Sequence, residues 1–353
     1  MNGLKLSVQE MIALGDMLDV EMSSCSPVAI AARRLNINID DRALIEKSRD
    51  SLRSRDFLKA DGTVGTFPEV QGIPVLASPS RLVTMVLSGI ERHFVSTCYI
   101  KEGWSVEHWT GDGSQHIIQA PVWFETCAEK LSSIFQTFDS KKNISCELSL
   151  EELLAFTAVL NRRKSEEILA EGSFQPDLFP ANPVSVRQEI KSILEKRELL
   201  YPAVLEKPDW ESFSCEAVEE ILVSLAEKGL LAKDQEDLFY TVSDDWKPWE
   251  RLFLDVQAKA VVSVYDTEKT LSLLRTVEIA GAPDFLGAAL MEGDMSSISL
   301  SLTRPSQVKE LFIKAVTAEK DSRERTAHDK CPRCDAETQA QDNYCWQCGE
   351  KLS

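Results

Sequence analysis

Three segments of the first half of the chain recur in the same order in the second half, and this self-similarity constrains the fold more than any other feature. The matched pairs are LSVQEMIALGDML (6–18) with LSLEELLAFTAVL (148–160), SLRSRDFLKADG (51–62) with SLAEKGLLAKDQ (224–235), and HWTGDGSQHIIQAPV (108–122) with ALMEGDMSSISLSLT (289–303). We refer to them as the first, second and third match. Matches that keep their order along the chain indicate an internal duplication. We therefore predict a first repeat over residues 1–143 and a second repeat over residues 144–318.

The spacing between the first two matches locates an insertion in the second repeat. The second repeat is longer than the first between these matches, and the extra residues fall within 161–210. This segment combines a helical pattern over 185–198 with proline-rich loops.

Each repeat is predicted to begin with helices, continue as a series of strands and end with a helix. A capping box opens the first helix, formed by Ser7 and Glu10 or by Ser149 and Glu152. The other helices are predicted over 41–55 and 124–138 in the first repeat, and over 215–228 and 304–318 in the second. The strand patterns cover 82–87, 92–100, 104–109 and 116–122, and then 260–265, 270–280, 284–290 and 297–302. The short polar loops between them are typical of an antiparallel meander, so the predicted fold class is α+β, made twice.

The end of the chain carries two Cys-x-x-Cys pairs, formed by Cys331 and Cys334 and by Cys345 and Cys348. Four thiolates suit tetrahedral Zn²⁺, and each pair presents two sulfurs to one metal ion. The segment 331–353 resembles the bacterial zinc-ribbon family, which predicts a closed structural Zn²⁺ site behind a charged linker over 319–330. The alternative, a pair of redox dithiols, would need a thioredoxin-like context that the sequence lacks. A closed site leaves no coordination position for a substrate.

Charge and cysteine usage restrict the function classes. The formal net charge is −18, which disfavours binding to phosphate backbones. The segments 43–64 and 217–242 follow a helix–turn–strand order, as in winged-helix proteins, but acidic residues around the second segment argue against a DNA-binding face. No apolar run is long enough to span a membrane. Five cysteines outside the tail are scattered and odd in number, which together with the absence of a signal peptide predicts a cytoplasmic protein.

The sequence contains no recognisable catalytic motif. It has no Gly-rich phosphate loop, no nucleophile elbow and no paired carboxylates at a catalytic spacing. His108 and His116 flank the turn TGDGSQ. Pairing of Trp109 with His116 would place His108 on the opposite face of the sheet, so we expect no shared metal site there. We predict that the protein is not an enzyme.

Two aromatic segments are candidates for a partner-binding surface. Phe174, Leu178 and Phe179 lie in the proline-rich segment SFQPDLFPANP, and Trp246 and Trp249 lie in DDWKPWERLFLDV. Exposed aromatic side chains anchor many protein interfaces. The alternative is that both segments pack against the body of the protein.

The order of these elements resembles that of the EspG-like chaperones of ESX (type VII) secretion systems. The resemblance is carried by LKLSVQEMIALGDML, by LIEKSRDSLRSRDFLKADGTV and by their second-repeat counterparts, and it covers residues 1–318. It implies two related halves, each a helical bundle plus an antiparallel sheet, and a cytosolic adaptor that binds a helical secretion substrate and keeps it soluble. The insertion and the zinc ribbon depart from that family's pattern. The alternative is a zinc-ribbon regulatory or scaffold protein of another assembly, and a winged-helix nucleic-acid binder is a third interpretation.

The tail motif predicts that freshly reduced full-length protein contains about one Zn²⁺ per chain. Metal analysis by mass spectrometry measures this content directly. Replacing Cys345 and Cys348 with Ser should abolish zinc binding because two of the four ligands are lost, whereas Cys25→Ser should leave it unchanged. A zinc content far below this value in the native protein would contradict the prediction.

Overall fold

One antiparallel sheet of ten strands runs through both predicted repeats. The computed structural model describes residues 3–317 except 60, 66, 90–92, 103, 111–114, 123, 139, 141, 172–180, 197–212, 235–238, 269–270 and 294–296. Its helices are α1 (Val8–Met17), α2 (Pro27–Arg34), α3 (Arg42–Ser54), α4 (Pro68–Gln71), α5 (Ile73–Ala77), α6 (Phe124–Ile134), α7 (Leu150–Glu171), α8 (Pro183–Lys196), α9 (Cys215–Glu227), α10 (Lys247–Leu254) and α11 (Pro305–Val316). Its strands are β1 (Leu4–Ser7), β2 (Arg81–Gly89), β3 (His93–Lys101), β4 (Trp104–Thr110), β5 (Gln115–Gln119), β6 (Ile144–Leu148), β7 (Leu231–Lys233), β8 (Tyr240–Val242), β9 (Ala258–Asp266), β10 (Ser272–Ala282), β11 (Phe285–Glu292) and β12 (Ile298–Leu302).

The two halves of the chain arrange their strands in the same order. From each edge of the large sheet inward, the first strand of that half is followed by its last strand and then by the others in reverse sequence order. The order is β1-β5-β4-β3-β2-β9-β10-β11-β12-β6, and β7 and β8 form a separate hairpin. At the centre, β2 and β9 pair antiparallel from Arg81 opposite Asp266 to Gly89 opposite Ala258. The predicted α+β class is therefore confirmed, and each predicted repeat contributes five strands to one continuous sheet.

Most predicted elements are present within a few residues of their predicted bounds. The helical pattern over 185–198 in the insertion corresponds to α8, while much of the rest of the insertion lies outside the described residues. The edge strands β1 and β6 are additions that no sequence pattern predicts. Each is a short strand that leads directly into a helix, so its residues resemble the start of the helix. Leu6, for example, fits the apolar pattern of the first helix but belongs to β1.

Helices cover both faces of the sheet. Successive residues of a strand point to opposite faces, so β10 places Val277 and Ile279 on one face and Ala280 on the other. On the first face, α6 and α11 pack together over the central strands, with Leu131 and Phe312 in the shared core. On the second face, α1–α5 form a core with β1 and β3–β5, and α7–α10 form another with β6 and β10–β12. This compact unit ends at Val316.

Glu10 connects three elements at the start of the first helix. The Ser7 amide donates to Glu10 Oε2 at 2.8 Å, and the Glu10 amide donates to Ser7 Oγ at 3.1 Å, which confirms the predicted capping box. From α3, the Ser51 hydroxyl donates to Oε1 at 2.9 Å, and Arg55 just beyond the helix donates to Oε1 and Oε2 at 2.8 and 2.9 Å. Burial raises the pKa of this carboxyl, but the hydrogen bonds from Ser7, Arg55 and Ser51 outweigh it and lower the pKa overall.

Glu152 makes the equivalent contacts in the second half. The Ser149 amide donates to Glu152 Oε2 at 2.8 Å, Ser224 Oγ donates to Oε1 at 2.7 Å, and Lys228 Nζ lies 2.6 Å from Oε2. Burial again raises the carboxyl pKa, and the contacts with Lys228, Ser224 and Ser149 lower it overall. The first match aligns Glu10 with Glu152, and the second aligns Ser51 with Ser224 and Arg55 with Lys228. The contacts therefore recur at the positions that the sequence matches relate.

The helices that supply these contacts also end in the same way. After α3, the Phe57 amide donates to the Leu52 carbonyl, and Asp56 has a φ of 63°. After α9, the Leu230 amide donates to the Leu225 carbonyl, and Gly229 has a φ of 77°. A residue with positive φ at this position closes the helix and turns the chain, and Gly adopts it with less strain than Asp.

Replacing Glu10 with Ala should lower the free energy of unfolding by about 2–4 kcal/mol, because it removes the capping carboxylate and leaves Arg55 and Ser51 without their partner. Urea denaturation of the variant measures this loss. Asp50→Ala is the matched control because its ion pair with Arg53 on α3 is exposed, and we expect it to change stability by less than about 0.5 kcal/mol. Equal effects of the two substitutions would contradict a structural role for Glu10.

Candidate partner-binding surface

Seven of the residues predicted to form sites lie outside the described residues. They are the zinc ligands Cys331, Cys334, Cys345 and Cys348 and the aromatic segment residues Phe174, Leu178 and Phe179. Their roles remain predictions. Among the described residues, no group of three or more His, Cys, Asp or Glu side chains could hold a metal ion.

Trp246 and Trp249 lie in the core instead of on the surface. Their exposed fractions are 5% and 3%. The Trp246 ring meets Phe156 edge-to-face at 6.4 Å, and the Trp249 ring lies so close to Gly287 that a Cβ at that glycine would be 3.2 Å from it. A side chain buried in this way is not available to a partner. The structure therefore favours the alternative that this segment packs against the body of the protein.

The β4–β5 hairpin has a register that differs by one residue from the one expected from the sequence. His116 pairs with Thr110, not with Trp109, so His108 and His116 lie on the same face. His108 Nε2 and His116 Nδ1 are 2.7 Å apart, and one ring donates to the other. Burial and the neighbouring His116 lower the pKa of His108 to about 4, and burial also lowers the pKa of His116. The expectation that the two rings are separated was wrong, and they form a neutral hydrogen-bonded pair.

A pocket of about 390 Å³ opens beside α6, on the face of the sheet that α6 and α11 cover. Its walls come from both halves of the chain, since Ala258 belongs to β9 and the other lining residues belong to β2, β3, β4 and α6. The lining residues are Met85, Leu87, Ser88, Gly89, Phe94, Glu107, Cys127, Lys130, Leu131, Ile134 and Ala258. A cavity of this size with mostly apolar walls and a few polar groups is typical of a binding site.

Exposed apolar side chains form part of the pocket's rim. Phe94 on β3 is 38% exposed and Ile134 at the end of α6 is 42% exposed, whereas Leu131 in the wall is fully buried. The helix that carries Ile134 is held in place by α11, because Ser132 Oγ donates to the Pro305 carbonyl at 3.0 Å. The pocket thus combines a fixed wall with apolar surface that a partner can cover.

A few polar groups lie in the pocket wall or directly behind it, among them Glu107 and Cys127. Ser96 on β3 donates its hydroxyl hydrogen to Glu107 on β4. The Cys98 thiol lies next to Ser96, and burial together with Glu107 raises its pKa. Burial and Glu107 also raise the pKa of Cys127, although the Lys130 ammonium opposes this shift. Both thiols are therefore protonated at neutral pH, and neither is an activated nucleophile.

The corresponding region of the second half is filled. Extended in both directions, the third match aligns the pair Cys98 and Glu107 with Ile279 and Ala288, which also pair across neighbouring strands. The residues of α6 that line the pocket align with residues of α11 that lie in or against the core. In this alignment Cys127, Lys130, Leu131 and Ile134 correspond to Val308, Leu311, Phe312 and Ala315. Polar groups and a pocket in one half replace apolar packing in the other.

Glu278 is a buried acid on the opposite face of the sheet, and no sequence motif marks it. Its side chain is 3% exposed, and its Oε1 contacts the Lys259 ammonium on the neighbouring strand. Within the described part of the chain, neither of its oxygens has a well-aligned hydrogen bond. Burial raises the pKa of Glu278 to about 7, although Lys259 opposes the shift.

Comparisons with known proteins show no family for this chain. No protein-family model matches it, and no curated protein matches it. Among solved structures, a similar chain occurs in the Mycobacterium tuberculosis type VII secretion system chaperone EspG5 in complex with the PE25–PPE41 dimer. The TM-score is 0.44 at 12% identity, over 90% of this chain and 98% of that chain. No helix within the described residues is long and apolar enough to cross a membrane.

The raised pKa of Glu278 predicts a pH-dependent contribution to stability. Between the ordinary glutamate pKa of 4.5 and about 7, the folded chain keeps a proton on Glu278 that the unfolded chain has released. The stability from this proton is fully present below pH 4.5 and is lost as the pH rises through about 7. The free energy of unfolding of Glu278→Gln should therefore rise relative to that of the native chain as the pH increases. The expected change in this difference is on the order of 2 kcal/mol from about pH 5 to about pH 8.

Urea unfolding of both proteins at each pH measures this difference. The pair of His108 and His116 is present in both proteins, so its pH-dependent contribution cancels in the difference between their free energies of unfolding. Glu227→Gln is the control, since Glu227 is exposed on α9, and it should not reproduce the effect of Glu278→Gln. A difference for Glu278→Gln that stays constant over this range would contradict the assignment.

Proposed function

We propose that the protein is a non-catalytic cytosolic adaptor that binds a helical protein partner through the pocket beside α6. One observation carries the proposal: the first half has an open, mostly apolar pocket where the second half has a filled core. The second half fills the corresponding region with apolar side chains. An open pocket at the same place in the first half is therefore better explained by a ligand or partner than by folding alone.

The geometry of the pocket suits the apolar face of a helix. Phe94 and Ile134 present exposed apolar surface, and the pocket beside them can receive one large side chain. Helix-in-groove recognition uses one or two such inserted residues with apolar contacts around them. Burial of each apolar side chain would stabilise the complex by about 1.5–3 kcal/mol.

We further propose that the partner is a substrate of a type VII secretion system. The sequence resemblance to the EspG-like chaperones supports this class of partner. A helical secretion substrate with an exposed apolar end needs a protein cover before export, and an adaptor with an open apolar pocket can provide one.

We also propose that the two halves arose by internal duplication. The three sequence matches, the repeated strand order and the equivalent contacts of Glu10 and Glu152 support this origin. In this proposal the pocket is a later specialisation of the first half. The tail, with a structural Zn²⁺ on Cys331, Cys334, Cys345 and Cys348, is a small folded module that does not take part in catalysis.

Affinity purification of the full-length chain from its own cells tests the proposed function. We expect a helical chain to co-purify with the native protein and to bind about tenfold or more weakly to Ile134→Asp, because an acidic group would then replace an apolar contact. Binding of the purified partner to each variant is measured by calorimetry.

Leu35→Asp is the matched control. Leu35 is the C-cap residue of α2 and is 49% exposed, so it resembles Ile134 in residue class, exposure and position at a helix end. We expect this variant to bind the partner like the native chain. Equal binding of the partner to Ile134→Asp and to the native chain would contradict the role of the pocket. Salt-dependent recovery of nucleic acid instead of a helical protein would favour the regulatory alternative.

A further inference from the structure

The few polar groups among the apolar walls of the pocket specify the kind of side chain that can enter it. We propose that the pocket binds an indole ring, presented by a tryptophan of the helical partner. This inference rests on the proposed function for the source of the indole, but the ring's fit to the pocket can be tested without the partner.

The apolar walls require a large apolar body. Met85, Leu87, Leu131 and Ala258 surround the space, and Phe94 contributes an aromatic ring at its rim. Aromatic side chains bury more apolar area than aliphatic ones and add favourable ring contacts. Indole is the largest such group among protein side chains, and the volume of about 390 Å³ accommodates it.

The two charged groups of the pocket exclude charged occupants. Glu107 and Lys130 both line it, and both act electrostatically on the Cys127 thiol, which places the carboxylate and the ammonium near the same side chain. The opposite charges of Glu107 and Lys130 offset each other, so neither an acidic nor a basic occupant gains a net attraction to compensate for its desolvation. The pocket therefore favours a neutral group.

Glu107 further selects a hydrogen-bond donor. A carboxylate is an acceptor with about four lone-pair positions, and within the described residues Glu107 receives a hydrogen bond from Ser96 alone. An occupant that covers Glu107 without donating to it would leave its remaining acceptor capacity unsatisfied. The indole N–H is a donor with no acceptor, so it matches an acceptor-only group.

Within its described residues, the second half lacks the polar groups of this site. The position corresponding to Glu107 is Ala288, and the position corresponding to Lys130 is Leu311, which packs against the core. We therefore expect a single site for the indole ring in the pocket.

The test is a titration of the intact chain with N-acetyl-tryptophanamide, observed by NMR of ¹³C-methyl-labelled methionines. Met85 lines the pocket, and buried Met11 and Met291, which do not line it, act as internal references. We expect the Met85 methyl signal to shift and the reference signals to stay. The 1-methyl derivative should bind about tenfold more weakly, because it lacks the N–H that donates to the charged Glu107.

The variant Glu107→Met distinguishes the contribution of the indole N–H hydrogen bond from that of the apolar walls. Methionine has a side chain of similar length but no carboxylate acceptor, so the preference for the unmethylated compound should fall from about tenfold to about equal binding of the two compounds. Glu125→Met on α6, an exposed position outside the pocket, should retain the preference. The comparison of the two compounds on the native chain needs no variant and decides the question even if Glu107→Met does not fold.

Three results would overturn the inference: no shift at Met85, equal binding of both compounds to the native chain, or stronger binding of the phenylalanine or tyrosine analogue. Failure of the adaptor proposal gives a different result. In that case the tryptophan compound still binds at Met85 and depends on Glu107, but no helical partner co-purifies. Conversely, a partner that binds through Ile134 but does not depend on a tryptophan would support the adaptor proposal and contradict the indole proposal.

Discussion

The antiparallel pairing of β2 with β9 is the interaction on which the rest of the structure depends. An unbroken run of residue pairs joins the two halves, from Arg81 opposite Asp266 to Gly89 opposite Ala258. Without this pairing each half would end in an unpaired edge strand with a row of free amides and carbonyls. The pairing also places α6 and α11 over one shared core, and it brings Ala258 of the second half into the wall of a pocket built by the first.

The elements that the sequence predicts well are those whose signals are local. Capping boxes at Ser7 and Ser149 and the alternation in the central strands depend on residues close in sequence, so a short window of residues is enough to recognise them. The edge strands have no such local signal, because β1 pairs with β5 and β6 pairs with β12, far along the chain. The predicted hairpin register failed for another reason: a shift by one residue changes the face of every side chain, and nothing in the turn sequence decides between the two registers.

The pocket could not be predicted because its residues come from five elements and look like ordinary strand and helix residues when taken separately. Conversely, Trp246 and Trp249 look like surface anchors next to a proline, but they lie in the core, and the Trp249 ring packs beside Gly287 of β11. The informative signal lies in the comparison of the halves. When the third match is extended, Glu107 stands where the second half has Ala288, and Lys130 stands where it has Leu311. A polar residue at a position whose counterpart is apolar marks a departure from simple core packing.

This departure is possible because the two halves share one sheet. The filled core around Val308, Phe312 and Ala315 fixes α11, and α11 in turn holds α6 through Leu131 in the shared core and the hydrogen bond from Ser132. The first half therefore does not need a filled core beneath the whole length of α6 to hold that helix in position. The packing of α6 on α11 and the central strand pairing hold α6 in place, so the region beside it can remain open and carry Glu107 and Lys130. A sheet shared by two halves with the same strand order can thus keep open a pocket that a single half would have had to fill.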